Sequence, residues 1–206
     1  MAVRFLDEEA RAEFKTAVET IENASAAEVV VAVRRRASRY PHAHALVGAV
    51  AAFAALAVML YAAQSFSILA VLLDPFAAAA VAAALVELAP PIQRWLTPAR
   101  VRAAHVTRAA RAAFVERGVS NTTGRSGILV YVAWLEQRIA LVADSGLVAA
   151  DFDAPAAERT LQVELPRGGA AVARALAKLA PQFARALPHR DDDVNELPDA
   201  IDEAPL

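Results

Sequence analysis

The fold of this chain is decided by ALVGAVAAFAALAVMLYAA, residues 45–63, and FSILAVLLDPFAAAAVAAALVELA, residues 66–89. The first stretch has no charged residue, and the second has only Asp74 and Glu87. A helix needs roughly 20 mostly apolar residues to cross a hydrocarbon core about 30 Å thick. The two stretches therefore predict a transmembrane helical hairpin over residues 45–95. The alternative is a pair of buried helices in a soluble, alanine-rich core.

The second span has two alternative positions. If Asp74 and Pro75 stand at its outer edge, the helix runs from Phe76 to Trp95, and Pro75 suits its first turn. A carboxylate in hydrocarbon costs about 2.5–3.5 kcal/mol on insertion scales, so the edge is the less costly place for Asp74. Glu87 lies in the span in either case. It is either an ion or partner contact or an interfacial carboxyl that is protonated or reaches Arg94.

Arginines on both sides of the hairpin predict its orientation. The flanking residues are Arg34, Arg35, Arg36 and Arg39 before the first span, and Arg94, Arg100, Arg102, Arg108 and Arg111 after the second. The loop between the spans has no lysine or arginine. Cytoplasmic loops carry the excess of positive charge, so both termini are expected in the cytoplasm of a two-span protein of the cell inner membrane.

Composition excludes several classes of function. The net charge of −2 gives no general case for nucleic-acid binding. The chain has no cysteine, which rules out disulfides, thiol nucleophiles and cysteine metal sites. The acidic run at residues 7–9 stands where a cleavable signal peptide would need an apolar segment, so no such peptide is predicted.

The polar parts of the chain predict one α/β domain that the hairpin interrupts. Predicted helices lie at 7–24, 97–117, 154–164 and 169–187, and predicted strands lie at 28–34, 128–134 and 138–143. A lone strand leaves its backbone groups unpaired, so the strand at 28–34 must join the later β-hairpin. The predicted domain therefore combines residues 1–40 with 97–188. Residues 189–206 read as an acidic, flexible tail.

Several segments after the hairpin resemble the TPM-domain family. They are FVERGV (114–119), Thr122, Thr123, RSGILVYVA (125–133), Glu136, ADSGL (143–147) and DVNELPD (193–199). The similarity is greatest to a bacterial subgroup of small membrane proteins in which two transmembrane spans split the domain. This resemblance implies an α/β/α sandwich. It also implies a role in assembly or repair of membrane complexes, since family members are linked to such roles and some are proposed phosphatases or calcium-binding proteins.

Five candidate site residues match the family pattern: Thr122, Thr123, Arg125, Glu136 and Asp144. Together with Asp151 and Asp153, Asp144 offers oxygen ligands of the kind that a calcium ion prefers. Alternatively, Asp144 caps a turn and pairs with Arg125. Arg125 is suited to bidentate binding of phosphate or carboxylate, or to a structural ion pair. Glu136 is expected to be a turn residue or the partner of Arg138.

The first function hypothesis is a non-enzymatic accessory module that sits on the lipid bilayer and binds a membrane-protein partner. The alternative is a metal-assisted phosphatase that uses Asp144 and nearby carboxylates, with calcium as the candidate cofactor. A third hypothesis is transport of an ion or small solute through an oligomer of hairpins. That hypothesis rests only on Asp74 and Glu87, and it requires a homo-oligomer because two spans cannot enclose a path.

Overall fold

The chain has a mixed α/β fold with two long apolar helices. The computed structural model describes residues 5–189, 196–197 and 201–203. Two compact units are present: one combines residues 1–38 with 103–206, and the other is Arg39–Arg102. The first unit is thus assembled from two segments that are far apart in sequence.

The described helices and strands follow the predicted order closely. The helices are α1 (Glu8–Ala24), α2 (Pro41–Tyr61), α3 (Ile68–Glu87), α4 (Pro90–Leu96), α5 (Ala99–Glu116), α6 (Ser145–Ala149), α7 (Ala154–Glu164), α8 (Gly169–Ala177) and α9 (Ala180–Ala186). The strands are β1 (Glu28–Arg34), β2 (Gly127–Ala133), β3 (Arg138–Ala143) and the short β4 (Asp202–Glu203). Single 3-10 turns lie at Val119–Asn121 and Leu165–Arg167.

The sheet has the strand order β3-β2-β1-β4 in the described chain. β1 pairs in parallel with β2, from Glu28 opposite Gly127 to Arg34 opposite Ala133. β3 runs antiparallel to β2. The predicted β-hairpin is therefore present, and the N-terminal strand joins it as expected. This register places Glu28, Gly127 and the last residue of β3 at the same end of their strands, on one end of the sheet.

Helical side chains pack on both faces of this sheet. Alternate strand residues such as Val31 and Val130 join a core with α1 and α7–α9, in which Phe14 is fully buried. The intervening residues, such as Leu129, join a second core with Phe114 of α5. Strand side chains alternate between faces, so the almost continuous apolar runs of β1 and β2 correspond to burial on both sides.

Side chains from neighbouring helices bind the open backbone groups along the sheet edges. Gln162 Oε1 accepts a hydrogen bond from Ile139 N–H at 2.9 Å, and Glu158 Oε2 accepts one from Leu141 N–H at 3.0 Å. On the other side of the sheet, β4 pairs only with Ala32 and Val33 of β1, and Glu22 Oε1 accepts a hydrogen bond from Val29 N–H at 3.1 Å. These contacts occupy donors that would otherwise be available to pair with a foreign strand.

The apolar hairpin of the second unit consists of α2 and α3. Each helix contains an 18-residue segment with a mean hydropathy of 2.2. The buried share of that segment is 11% in α2 and 0% in α3. Gly48 lies where the helices approach closely, since an added Cβ would stand 3.1 Å from the carbonyl oxygen of Ala79. By length and composition these helices can cross a membrane, and their exposure differs from that of core helices in a soluble domain.

The second apolar helix does not have the alternative bounds of Phe76 to Trp95. α3 begins at Ile68 because Ser67 is its N-cap and accepts a hydrogen bond from Ala70 N–H at 3.1 Å. The helix continues through Asp74 and Pro75 and ends at Glu87. Proline is tolerated inside apolar spanning helices, where neighbouring groups can satisfy the freed carbonyl.

Other differences lie in the C-terminal third. The predicted helix at 169–187 is divided into α8 and α9, because Pro181 stands in the first turn of α9 and cannot supply the N–H that would continue α8. The short α6 was not predicted. Of the predicted tail, residues 190–195, 198–200 and 204–206 lie outside the described residues. In the described part, Leu197 and Ile201 pack against the two cores, and Asp202–Glu203 form β4.

Candidate functional site

The candidate site is built around a loop, residues 122–126, that leads into β2. Thr122 is buried, and its Oγ1 accepts a hydrogen bond from Ser126 N–H at 3.0 Å. The carbonyl of Thr122 also accepts one from Arg125 N–H at 3.1 Å. Arg125 has a φ of +51°, a left-handed conformation that such a tight turn requires. The Thr122 side chain therefore shapes this loop, which we call the 122–126 loop.

Asp144 lies beside the 122–126 loop at the end of β3. Its backbone N–H donates to the carbonyl of Gly127 at 2.9 Å, and its Oδ1 accepts from Ser145 N–H at 2.7 Å as the N-cap of α6. Its Oδ2 is buried, has no hydrogen-bond partner among the described residues, and lies 3.9 Å from Nη1 of Arg125. The predicted cap and the predicted Arg125 pair are both present, and one carboxylate oxygen remains available as an acceptor.

Arg125 is the more exposed partner of this pair. Its side chain is 60% exposed, whereas that of Asp144 is 10% exposed. The guanidinium also donates from Nη1 to the carbonyl of Ser120 at 3.0 Å. At 3.9 Å the contact between Arg125 Nη1 and Asp144 Oδ2 is longer than a hydrogen bond. The exposed guanidinium is therefore accessible to an anion.

Two glutamates connect the C-terminal segment to this end of the sheet. Glu196 Oε2 accepts a hydrogen bond from Thr123 N–H at 2.8 Å, and Glu196 N–H donates to Glu28 Oε1 at 3.1 Å. Neither Glu28 nor Glu196 was selected from the sequence. A signal for Glu28 existed, because it is a carboxylate that directly precedes the apolar run of β1. Glu196 lies in the ending that resembles the TPM family.

Glu136 lies at the opposite end of the sheet, away from the other four motif residues. It is almost fully buried in the turn between β2 and β3. Its Oε1 accepts a hydrogen bond from Ala37 N–H at 3.0 Å. Glu136 therefore fixes the segment that follows β1, a role that its expected pairing with Arg138 did not anticipate.

Replacing Glu136 by alanine is expected to lower the free energy of unfolding by about 1–3 kcal/mol, because Ala37 N–H loses its acceptor. Glu136→Gln is the matched control, since the amide oxygen can still accept that hydrogen bond. Urea unfolding followed by tryptophan fluorescence measures both variants. Equal losses in the two variants would show that the negative charge matters and that the Ala37 contact does not.

The predicted calcium ligands are not brought together. Asp153 is the N-cap of α7, where its Oδ1 accepts from Ala156 N–H at 2.8 Å. Asp151 and Asp153 line an open groove of about 410 Å³ with Gln182 and Arg185. Within residues 5–189, 196–197 and 201–203, no group of three or more histidine, aspartate or glutamate side chains is placed to hold a metal ion. The calcium hypothesis therefore has no ligand set among these residues.

The charged residues of the hairpin have different surroundings. Glu87 Oε2 lies 3.3 Å from His44 Nε2, and His44 Nδ1 lies 2.9 Å from the carbonyl oxygen of Ala83. The sequence had suggested Arg94 as the partner of Glu87 and had not selected His44. Asp74 is exposed on the surface of α3, directly before Pro75. The structure thus ties Glu87 to α2 and leaves Asp74 facing outward.

These observations define an α/β protein in which a two-helix apolar hairpin separates the two segments of the α/β unit. No protein-family model matches the chain, and no curated protein matches it. Among solved structures, the chain is similar to the NMR structure of the BA42 protein from the psychrophilic bacterium Bizionia argentinensis. The identity is 15%, the TM-score is 0.58, and 99% of each chain is covered. At this identity the similarity concerns the fold alone.

Proposed function

We propose that this chain is a two-span protein of the cell inner membrane, with the α/β unit and both termini in the cytoplasm. The exposed apolar surface of α2 and α3 supports the membrane span, since a large exposed apolar surface marks a membrane or protein contact. The arginines that flank the hairpin support the orientation.

The absence of cysteine from the sequence allows a direct test of topology. A single cysteine in place of Gln64, between α2 and α3, should react with a membrane-impermeant maleimide in intact cells. A single cysteine in place of the exposed Val163 on α7 should react only after the cells are opened. The opposite labelling pattern would show that the orientation is the reverse of the one proposed. Release of the protein by alkaline extraction would show that it does not span the membrane.

The α/β unit is proposed to be a TPM-like α/β/α sandwich that acts as an accessory module for a membrane complex. The arrangement of the motif residues supports this proposal, because Thr122, Thr123, Arg125 and Asp144 lie together at one end of the sheet. Thr122 Oγ1, Thr123 N–H and Asp144 Oδ1 each make an internal hydrogen bond, which suits a recognition surface held in one shape. The hairpin would keep that surface close to membrane-protein partners.

Affinity purification of the full-length protein from its native membrane in mild detergent tests this role. A stoichiometric membrane-protein partner is expected, and it should be lost when Arg125, which is exposed on the 122–126 loop, is replaced by alanine. Arg159→Ala, which removes an arginine from α7, is the matched control and should retain the partner. Purification without any stoichiometric partner would contradict the accessory role.

A phosphatase is the second candidate, because Asp144 Oδ2 is a buried acceptor next to an accessible guanidinium. Arginine is well suited to phosphate binding. If this reading is correct, Asp144→Asn should abolish release of phosphate from a model ester, whereas Asp153→Asn should not. Release that is unchanged in Asp144→Asn would remove the enzyme hypothesis.

A further inference from the structure

One turn of α3 presents polar groups on an otherwise apolar helix. Asp74 is six residues beyond Ile68, which corresponds to about 9 Å along the helix axis. Its neighbours Leu72, Leu73 and Phe76 are all exposed. If α3 spans the bilayer, as proposed above, Asp74 lies within the hydrocarbon and faces lipid rather than α2.

Pro75 adds a second polar group to the same turn. Proline has no backbone N–H, so the carbonyl of Val71 lacks the donor that a regular helix would supply. A backbone carbonyl in hydrocarbon needs a partner, and so does a carboxyl group. A single copy of the hairpin therefore presents a carboxyl and a freed carbonyl at one depth.

We propose that α3 is the interface between two copies of this chain, with the two Asp74 side chains facing one another. A neutral carboxyl carries one donor and an acceptor, so it is complementary to itself across a two-fold axis. The Val71 carbonyl of either copy is a further acceptor at that level. This inference rests on the membrane span proposed above.

The residues around Asp74 fit this assignment. Ala70, Ala77 and Val81 lie four residues before and three and seven residues after Asp74, so they share its face of the helix. The two alanines are small, which allows two helices to approach closely. The Asp74 carboxyl supplies the hydrogen bond, and its neighbours leave room for the second helix.

Cysteine cross-linking in liposomes of the purified full-length chain tests the interface. Val81→Cys should form a disulfide-linked dimer under mild oxidation. Ala80→Cys is the matched control: it is also exposed and lies at nearly the same depth, but it is rotated by about 100° around the helix. In the Val81→Cys background, Asp74→Leu should lower the dimer association constant about tenfold. Asp74→Asn should retain the dimer, because its amide also has a donor and an acceptor.

Equal cross-linking of the two cysteine variants, or a monomer that remains embedded in the liposomes, would overturn the interface. Asp74→Leu with undiminished cross-linking would overturn the role of the carboxyl. Alkaline extraction of the same liposomes separates these results from failure of the span. A protein that is released refutes both proposals, whereas a protein that is retained as a monomer refutes the interface alone.

Discussion

Replacing Phe14 by alanine should lower the free energy of unfolding of the α/β unit by about 3–5 kcal/mol. Phe14 is fully buried in α1, and its ring centroid lies 6.4 Å from that of Phe5. Phe5 in turn lies 5.3 Å from Trp134 at the end of β2. The substitution would leave a cavity where α1 packs on residues that come more than 100 positions later in the chain.

Urea unfolding in mild detergent, followed by tryptophan fluorescence, measures this loss, because Trp134 lies beside Phe5 in this core. The matched control is Phe53→Ala, because Phe53 is 74% exposed on α2. The control should unfold at the same urea concentration as the unmodified chain. A Phe14→Ala midpoint that coincides with that of the control would contradict the assignment of α1 to this core.

Replacing Gly146 by alanine is expected to cost about 1–3 kcal/mol and to displace the 122–126 loop. An added Cβ would stand 2.4 Å from the carbonyl oxygen of Gly124 and 2.6 Å from that of Arg125. Backbone carbonyls cannot move aside as a flexible side chain can. The hydrogen bond from Gly146 N–H to the Arg125 carbonyl, now 3.0 Å, would be broken with the loop's movement.

Gly124 provides the control inside the same loop. A Cβ at Gly124 would meet only Ser126, at ordinary contact distances of 3.8 and 3.9 Å, so Gly124→Ala should leave the loop unchanged. Hydrogen exchange at Ser126 N–H reports on the loop, because this donor is held by Thr122. Faster exchange is expected in Gly146→Ala alone. Similar exchange in both variants would show that Gly146 does not position the loop.

Much of the fold was predictable because its signals are local. The charge-free run at 45–63 indicates an apolar helix long enough to cross a membrane, since hydropathy is a property of the segment itself. Asp7 caps α1 through Ala10 N–H at 2.8 Å, a contact between residues three positions apart. The β-branched residues of β1 and β2 likewise predicted strands without reference to their partners.

The candidate site was predictable only in part. Thr122, Arg125 and Asp144 were selected through a resemblance, and the structure places them together. Their neighbours Glu28 and Glu196 were missed, because a glutamate at a strand end and a glutamate in an acidic tail both have the pattern of solvated residues. Glu136 was assigned to the right turn, but its contact with Ala37 spans 99 positions and has no local signal.

The amino-acid sequence by itself determined which segments are apolar, which are strands and where α1 begins, because hydropathy, β-branching and capping act over a few residues. Only the tertiary structure decided that Glu87 faces His44. It alone brought Glu196 to the 122–126 loop and Glu136 to Ala37. These outcomes depend on contacts between distant segments, whose energies arise only when packing brings the partners together.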